Sequence, residues 1–536
     1  MHLQRSIGLI GLTFVAVSGV IGSGWLFAPQ DSAALAGPAS LLAWAIGGVA
    51  MFLLALTFAE VTAMLPVPGG IARVPLFSHG NVVAMAMGWS AWIGYTTTAP
   101  VEVEAMLRYL VGEQPWLYAD VATKEFTVLG MGLVVVTIGL LTVANAFGVR
   151  FFAYLNTTIT WMKIAVPAVV TLVILADRFV PGNFTRASSG GFMPYGWHGV
   201  LAAASAGGIV FSLIGFRHAI DMAGEAKNPG FTIPAALLLA LAICLLLYGG
   251  MEVAFIGALT EEDLAGGWAR LDLGHDYGPM AAIAQVLGLL WLVALLQAGA
   301  VLGPFGGALV AVGSNGRLAY ALAENGLLPK RFRQISRFGV PLSALLLNFA
   351  VGLVAVAVFD FEALVALNGA AITLSFVVGP LAVVALRELL PDRPRPFRMP
   401  LASLLAPLAF IVATLLVYWS GWDTVWPLGA ALLAGALLFL SRAAGGAMGA
   451  LDLKPAVWLL PYLLGLGLLS YLGSFGGIGA IPFGWDLLAG TALGAGVFRL
   501  AGRCRLEQQT FERYLESEAD LGEPLDPEEP TGPYPL

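Results

Sequence analysis

The feature that most constrains this chain is the recurrence of apolar runs long enough to cross a lipid bilayer. A helix needs about 20 apolar residues to span a hydrocarbon core of about 30 Å. Runs of this kind fall at 7–28, 38–64, 81–110, 126–147, 151–176, 196–224, 233–257, 279–312, 341–359, 361–386, 401–420, 425–441, 456–473 and 484–501. The sequence therefore predicts an all-α polytopic membrane protein with about fourteen spans, whose immediate partner is the lipid bilayer.

Composition excludes the soluble classes. Hydrophobic residues make up 59% of the chain and charged residues only 11%, against roughly 25% charged residues in a soluble domain. The formal net charge of −7 offers no basic surface, so we predict no nucleic-acid partner. Cys244 lies in an apolar run and Cys504 beyond the last one, so we expect no disulfide. No nucleotide-binding or metal-binding motif is present, so we predict no cofactor, no metal and no enzyme activity.

The first run, IGLIGLTFVAVSGVIGSGWLFA, is predicted to unwind in its middle. Gly19, Gly22 and Gly24 surround Ser23 at mid-depth, where each glycine lowers helix stability. Unwound backbone at this depth is tolerated only where it is buried in protein or lines a wet cavity. The freed N–H groups would bind an anion and the freed carbonyls a cation. An alternative is that the glycines only let two helices pack closely.

The sixth run is interrupted in the same way. Residues 199–224 contain Gly207, Gly208 and Gly215, followed by an arginine deep in the apolar segment. Two glycine-interrupted spans, each opening its own half of a core, are typical of transporters built from inverted repeats. The pair predicts a binding site between the first and sixth spans.

The distribution of Lys and Arg predicts the orientation of the chain. With the N-terminus inside, 19 of the 26 Lys and Arg residues fall on the cytoplasmic side. The outer segments hold five, namely Arg108, Lys124, Arg178, Arg186 and Arg270. Because basic residues are enriched in cytoplasmic loops, we predict a multi-pass protein of the cell (inner or plasma) membrane with both termini in the cytoplasm.

Five motifs in order give the chain its resemblance to a known group. They are GVIGSGWLFAP (19–29), PVPGGIARV (66–74), NAFGVR (145–150), GFRHAIDMAGEAKNPGFTIP (215–234) and SNGRLAYALAENGLLPKRF (314–332). Over residues 5–390 the chain resembles the amino acid–polyamine–organocation (APC) superfamily of permeases, which has the leucine-transporter fold. The resemblance implies transport of an amino acid.

The resemblance also implies a domain organisation. Residues 1–390 would form a ten-helix core, with repeats at about 7–176 and 196–386 in a 5+5 inverted arrangement and with the first and sixth spans discontinuous. Residues 391–504 would add four spans outside that core. The tail at 505–536 begins as a short amphipathic helix and then becomes acidic and proline-rich, a composition typical of disorder.

By the same resemblance, backbone dipoles would bind the common part of the substrate. The carboxylate would take N–H groups, and one hydroxyl, from Gly22, Ser23 and Gly24. The ammonium would take carbonyl groups near Val20, Phe211, Ser212 and Ile214. Phe211 aligns with an aromatic lid over the substrate in relatives, although an ordinary core aromatic is the alternative.

Lys163 lies near the middle of the fifth span. A lysine at the bilayer centre costs roughly 2.5–3.5 kcal/mol on insertion scales, so its presence needs a reason. In proton-coupled members of the superfamily, a lysine here occupies the cation site that sodium fills in sodium-coupled relatives. We therefore predict Lys163 as the proton-coupling residue. The alternative is a structural pin joining the first, fifth and eighth spans, and exchangers also carry basic residues here.

Arg217 departs from the family pattern, which often has an acidic or neutral residue at this point. Its guanidinium suits bidentate binding of a carboxylate. It could hold the side-chain carboxylate of aspartate or glutamate, pair with Glu102 or Glu104 on the third span, or act as a cytoplasmic gate.

Glu102 and Glu104 are two residues apart, so they point in different directions on a helix. Glu102 is the deeper of the two and is the predicted proton relay, whereas Glu104 could pair with Arg108 four residues on.

Together these features predict a proton-coupled symporter that imports an acidic amino acid by alternating access. The alternatives are an exchanger, an importer of small or apolar neutral amino acids, and a nontransporting amino acid sensor.

Overall fold

A computed structural model describes most of the chain. The described residues are 7–67, 70–109, 114–120, 125–147, 149–271, 273, 278–336, 338–446 and 450–516, without the side chains of 149–157. Three predicted features therefore lie wholly or partly outside the described residues. They are the second sequence motif at 68–69, the third at 148–150 and the acidic part of the tail beyond 516.

The first half of the chain forms six long helices and a small hairpin. The helices are α1 Leu9–Val20, α2 Gly24–Ala36, α3 Ser40–Met64, α4 Gly70–Tyr109, α5 Val128–Ala146 and α6 Val149–Asp177. Strands β1 Tyr118–Asp120 and β2 Glu125–Phe126 pair antiparallel between α4 and α5.

The second half of the predicted core begins with a span made of short pieces. Its helices are α7 Gly196–Ser205, α8 Ile209–Leu213, α9 Arg217–Asp221, α10 Pro229–Ala258, α11 Pro279–Val286, α12 Leu290–Glu324, α13 Leu342–Val358, α14 Phe361–Ser375 and α15 Val378–Leu389. The C-terminal helices are α16 Ala402–Trp419, α17 Trp422–Ala444, α18 Leu459–Leu472, α19 Trp485–Arg503 and α20 Gln508–Glu516.

Short 3₁₀ turns join several of these helices. They lie at Gly37–Ala39, Pro115–Leu117, Pro181–Phe184, Ala187–Ser189, Ile214–Phe216, Ala223–Glu225, Trp268–Arg270, Lys330–Arg333 and Lys454–Ala456.

The helices have the length and composition of membrane spans. Among the described residues, nine helices are long and apolar enough to cross a bilayer, and a bent pair in the sixth predicted span makes a tenth. Each of the fourteen apolar runs contains at least one helix. The prediction of an all-α polytopic membrane protein is confirmed.

Helix α4 lies at the centre of the bundle, where α12 and α14 pack against it. It is interrupted at Gly80, whose φ of 79° favours glycine. The segment before this break contacts the end of the chain, since the amide of Leu506 donates to the Ser78 carbonyl at 3.1 Å. Helix α20 then buries Phe511 in the same region. The short amphipathic helix predicted at the start of the tail is therefore present.

Candidate functional site

The first span is broken where its glycines predict. Helix α1 ends at Val20 and α2 begins at Gly24, leaving three residues between them. The Gly22 amide donates to the Val20 carbonyl at 3.0 Å, and the Tyr248 hydroxyl donates to the same carbonyl at 2.8 Å. In this conformation the Val20 carbonyl, a predicted ammonium ligand, is therefore already engaged within the protein.

The sixth span breaks at two places. The first break follows α7, where Gly208 has a φ of 80°. The second is the 3₁₀ turn Ile214–Phe216 between α8 and α9. Ser212, on the intervening helix, donates its hydroxyl to the Gly208 carbonyl at 2.7 Å. Phe211 packs partly buried beside α14, where a Cβ on Gly369 would lie 3.8 Å from it.

The two broken spans meet through glycine. A Cβ on Gly215 would overlap the main chain of Gly19 and Val20. A Cβ on Gly24 would lie 2.8 Å from the Ser212 Cβ. The glycines therefore permit both the unwinding of the first span and its close packing against the sixth.

Lys163 reaches the unwound end of α1 from α6. Its Nζ donates to the Ser18 carbonyl at 2.5 Å and to the Ser18 hydroxyl at 3.1 Å. Gly306 on α12 lies alongside, since a Cβ there would be 3.1 Å from the amine. Lys163 is 3% exposed, and its amine lies where the first, fifth and eighth spans meet.

Glu102 projects from α4 onto the break in the first span. A Cβ on Gly22 would lie 2.6 Å from the Glu102 carboxyl carbon, and a Cβ on Gly307 would lie 3.2 Å from it. The main-chain N–H and the hydroxyl of Ser23 face the carboxyl and favour its charged form. Its Oε2 is buried and has no hydrogen-bond partner in the part of the chain that the structure describes.

Glu104 points elsewhere, as the two-residue spacing predicts. It interacts electrostatically with Arg108, and that guanidinium donates to Glu362 at 3.4 Å.

Arg217 is held against α4. It is 2% exposed, donates from Nη2 to the Thr98 hydroxyl at 3.0 Å and lies 4.5 Å over the Tyr95 ring. The Tyr95 hydroxyl donates in turn to Asp221. The Nε of Arg217 is buried without a hydrogen-bond partner among the described residues. The suggested pairing with a third-span glutamate is not the contact found.

Sequence reasoning missed Asn368, which joins α14 to the part of α4 that Arg217 contacts. Its Nδ2 donates to the Gly94 carbonyl at 2.5 Å and to the hydroxyls of Thr97 at 3.1 Å and Thr98 at 2.8 Å. Glu252 was missed as well, and it accepts from Ser32, Ser40 and Trp44. Both are lone polar residues within apolar runs, the signal that singled out Lys163.

Two further groups of contacts join elements of the bundle on either side of this polar centre. At one end Arg317 and Glu225 form an ion pair at 3.0 Å, and Ile7 forms a parallel bridge with Ala226. At the other end the Phe27 ring lies 6.0 Å from Tyr109 and 6.1 Å from Phe361. The first group is hereafter the Glu225 end and the second the Phe361 end.

The ion pair at the Glu225 end predicts a stability effect. Glu225→Gln leaves a mostly buried guanidinium without its charged partner, so we expect the free energy of unfolding to fall by about 1–3 kcal/mol. The melting temperature of the purified protein would show this. Glu362→Gln breaks a longer pair whose carboxylate is largely exposed and should change stability by less than about 1 kcal/mol. Equal losses in both variants would contradict the assignment.

The class of protein follows from this arrangement. Two broken helices meet at a buried polar centre in an apolar bundle. That arrangement is typical of a carrier for a small polar solute. The sequence model of the family described as "Amino acid permease" matches residues 7–439. The chain belongs to this family of amino acid transporters, within the APC superfamily that its motifs resemble, and it is not an enzyme.

Individual relatives support the same assignment. The chain is 34% identical over 499 residues to the "Glutamate/serine transporter AimA" of Bacillus subtilis (strain 168), covering 91% of each chain. It is 34% identical over 496 residues to the "Aspartate-proton symporter" of the same organism, covering 91% of this chain and 94% of the relative. The "Branched-chain amino acid permease BcaP", also from that organism, is 24% identical over 82% of this chain and 92% of its own length.

Proposed function

We propose that this chain is a proton-coupled symporter that imports an acidic amino acid, aspartate or glutamate, by alternating access. The observation that carries the substrate class is Arg217, a buried guanidinium beside Thr98 with Nε left unpaired among the described residues. A second carboxylate on the substrate would accept a hydrogen bond from this Nε–H. The names of the two relatives at 34% identity support this choice.

The proposal includes the finer architecture. Ten spans in residues 1–390 form a 5+5 inverted repeat, 391–504 add four further spans, and both termini face the cytoplasm of the cell membrane. Supporting this, the first and sixth spans are both broken and their breaks meet at Gly19 and Gly215. With this orientation the Glu225 end is the cytoplasmic one.

The substrate would lie between the breaks with its charged groups on the main chain. The groups proposed for its α-carboxylate are the N–H groups of Gly22, Ser23 and Gly24 and the Ser23 hydroxyl. Those proposed for its ammonium are carbonyls near Val20, Phe211, Ser212 and Ile214, with Phe211 as the lid. Arg217 would take the side-chain carboxylate. The Tyr248 hydroxyl would then have to give up the Val20 carbonyl when substrate enters.

Protons would be carried at Lys163 and Glu102. Both are buried and both touch the first span, Lys163 at Ser18 and Glu102 at Ser23. A change of charge at either residue therefore acts directly on the segment proposed to bind substrate. This placement supports coupling of proton and substrate at a single layer of the bundle.

A small neutral amino acid is the second candidate substrate, because one relative is named for serine as well as glutamate. Uptake of labelled aspartate, glutamate, serine and leucine into proteoliposomes tests both, with and without an inward proton gradient. Gradient-driven aspartate or glutamate uptake supports the proposal. Uptake that needs only internal amino acid would make the protein an exchanger, and binding without flux would make it a sensor.

Arg217→Gln tests the substrate class directly. Because a hydrogen bond to a charged group contributes about 1.5–3 kcal/mol, we expect acidic amino acid uptake to fall at least about tenfold. Any serine uptake should change much less, since serine has no side-chain carboxylate. Arg108→Gln, which removes a guanidinium from the Phe361 end, is the matched control. An equal loss for all substrates would mean that Arg217 holds the structure and does not select the substrate.

A further inference from the structure

We propose that the Glu102 carboxylate is a built-in competitor of the substrate's α-carboxylate, and that Glu102 must take up a proton before it yields its place on the first span. This inference rests on the proposed function, because it assumes that the substrate carboxylate binds at the break of that span. It assigns the proton-coupling step to a competition between two carboxylates for the same donors.

The geometry places a carboxylate where the substrate's own is expected. The Glu102 carboxyl lies against Gly22 closely enough that no side chain could stand there. It interacts with the N–H and hydroxyl of Ser23, which are two of the donors proposed for the substrate. Gly307 on α12 leaves room for it from the opposite side.

The donors at this break are too few for two anions. The Gly22 N–H already donates to the Val20 carbonyl, and the two Ser23 donors face Glu102. Of the four donors proposed for the substrate, this leaves the Gly24 N–H. Two carboxylates side by side also repel, which favours taking up a proton on one of them. The substrate carboxylate therefore binds only as Glu102 withdraws.

The charged groups around Glu102 do not hold it in place by hydrogen bonds. Lys163 on α6 and Arg217 on α9 attract it electrostatically, but their recorded bonds go to Ser18 and Thr98. The Glu102 carboxylate also interacts electrostatically with Tyr248 on α10. His218, beside Arg217 on α9, interacts electrostatically with Arg217 and Lys163. The Ser23 N–H and hydroxyl are thus the groups on the first span that favour the ionised carboxylate.

Protonation of Glu102 weakens its interaction with the N–H and hydroxyl of Ser23. A protonated carboxyl is neutral and carries an O–H, so it competes poorly for N–H groups that favour an anion. The substrate anion then takes the donors, and one proton enters with each substrate. By linkage, the proton raises substrate affinity and the substrate raises proton affinity by the same factor.

The test is the pH dependence of substrate binding to the purified protein, measured by titration calorimetry with L-glutamate or L-aspartate. Between about pH 5 and 8, the side-chain carboxylate of each probe stays ionised. With one coupled proton, wild-type affinity should fall by up to about tenfold per pH unit once Glu102 ionises. In Glu102→Ala the competitor is gone, so affinity should fall less steeply with pH than in the wild type, with Lys163 as the source of any remaining slope, and it should be higher than wild type at the alkaline end.

Two further variants sharpen the result. Glu102→Gln keeps the shape without the negative charge and should show the same reduced pH dependence, which covers the case in which the alanine variant fails to fold. Glu104→Gln removes a buried carboxyl on the same helix that points elsewhere, and it should keep the wild-type pH profile. Weaker binding of Glu102→Ala at every pH would overturn the inference, because Glu102 would then assist binding.

Failure of the proposed substrate class can be told apart from failure of this inference. The competition concerns the α-carboxylate, which every amino acid carries. If serine binds and glutamate does not, the same pH series with serine should still be less steep in Glu102→Ala than in the wild type. A pH dependence as steep in the alanine variant as in the wild type places the coupling proton on another residue and overturns the inference while leaving symport intact.

Discussion

Lys163→Gln is expected to abolish uptake driven by a proton gradient. The wild-type amine makes two hydrogen bonds to Ser18, one to its carbonyl and one to its hydroxyl. Because a hydrogen bond from a charged group contributes about 1.5–3 kcal/mol, losing both should slow the initial rate at least about 100-fold. Glutamine also carries no exchangeable charge, so it cannot couple a proton to the movement of the first span.

The measurement is the initial rate of labelled substrate uptake into proteoliposomes under an imposed proton gradient, with counterflow exchange measured in parallel. We expect exchange to be less impaired than gradient-driven uptake, since exchange needs no net proton movement. Lys227→Gln is the matched control, because Lys227 is exposed and lies away from the polar centre. It should take up substrate at close to the wild-type rate.

Lys163→Arg separates the proton-coupling role from that of a structural pin. Arginine keeps a permanent positive charge and can bond to the same carbonyl, but it does not release its proton in proteins. If Lys163 only joins the first, fifth and eighth spans, the arginine variant should transport under the gradient. Gradient-driven uptake in the arginine variant would therefore contradict proton coupling at this residue.

The glycine pattern predicted the central part of the fold well. Breaks at the first and sixth spans follow from residue types, because glycines close together lower helix stability at one place in a span. Apolar run lengths likewise gave the helices, since hydrocarbon thickness sets the length of a span. These properties depend on local sequence, so one chain without relatives is enough to recognise them.

The partner of Arg217 could not be predicted in the same way. Its sequence position fixes its depth in the membrane, and at that depth Glu102 and Glu104 are both plausible partners. Rotation of each helix about its axis is set by packing, and packing turns Arg217 toward Tyr95 and Thr98. Asp221, four residues later on the same face, was the overlooked signal.

The contact of Glu102 with the first span was also hidden in the sequence. Depth identified Glu102 as a candidate for carrying a proton, but the space it occupies is created by residues without side chains. Gly22 and Gly307 lie on two different spans, and their proximity follows only from the folded bundle. Space left by two glycines on different spans depends on the tertiary structure, so the sequence alone does not reveal it.

Gly215→Ala is expected to be the most damaging single methyl addition in the chain's centre. The added Cβ would overlap main-chain atoms of Gly19 and Val20, which cannot rotate away as a side chain would. Overpacking typically costs about 1–3 kcal/mol and sometimes more, and here the neighbour is backbone, so we expect a loss at the upper end. The two broken spans would be forced apart, and transport should be lost with stability.

Gly249→Ala provides the matched control within the same half of the protein. Gly249 lies in α10, and a Cβ there meets nothing within 4 Å, so alanine should be neutral or stabilise the helix by up to about 1 kcal/mol. Melting temperature and the yield of monodisperse protein would distinguish the two variants. If both variants have the same melting temperature and both transport substrate, the two breaks do not meet through Gly215. The binding site proposed between them would then lose its structural basis, because the donors of the first span and the carbonyls of the sixth could not face one substrate.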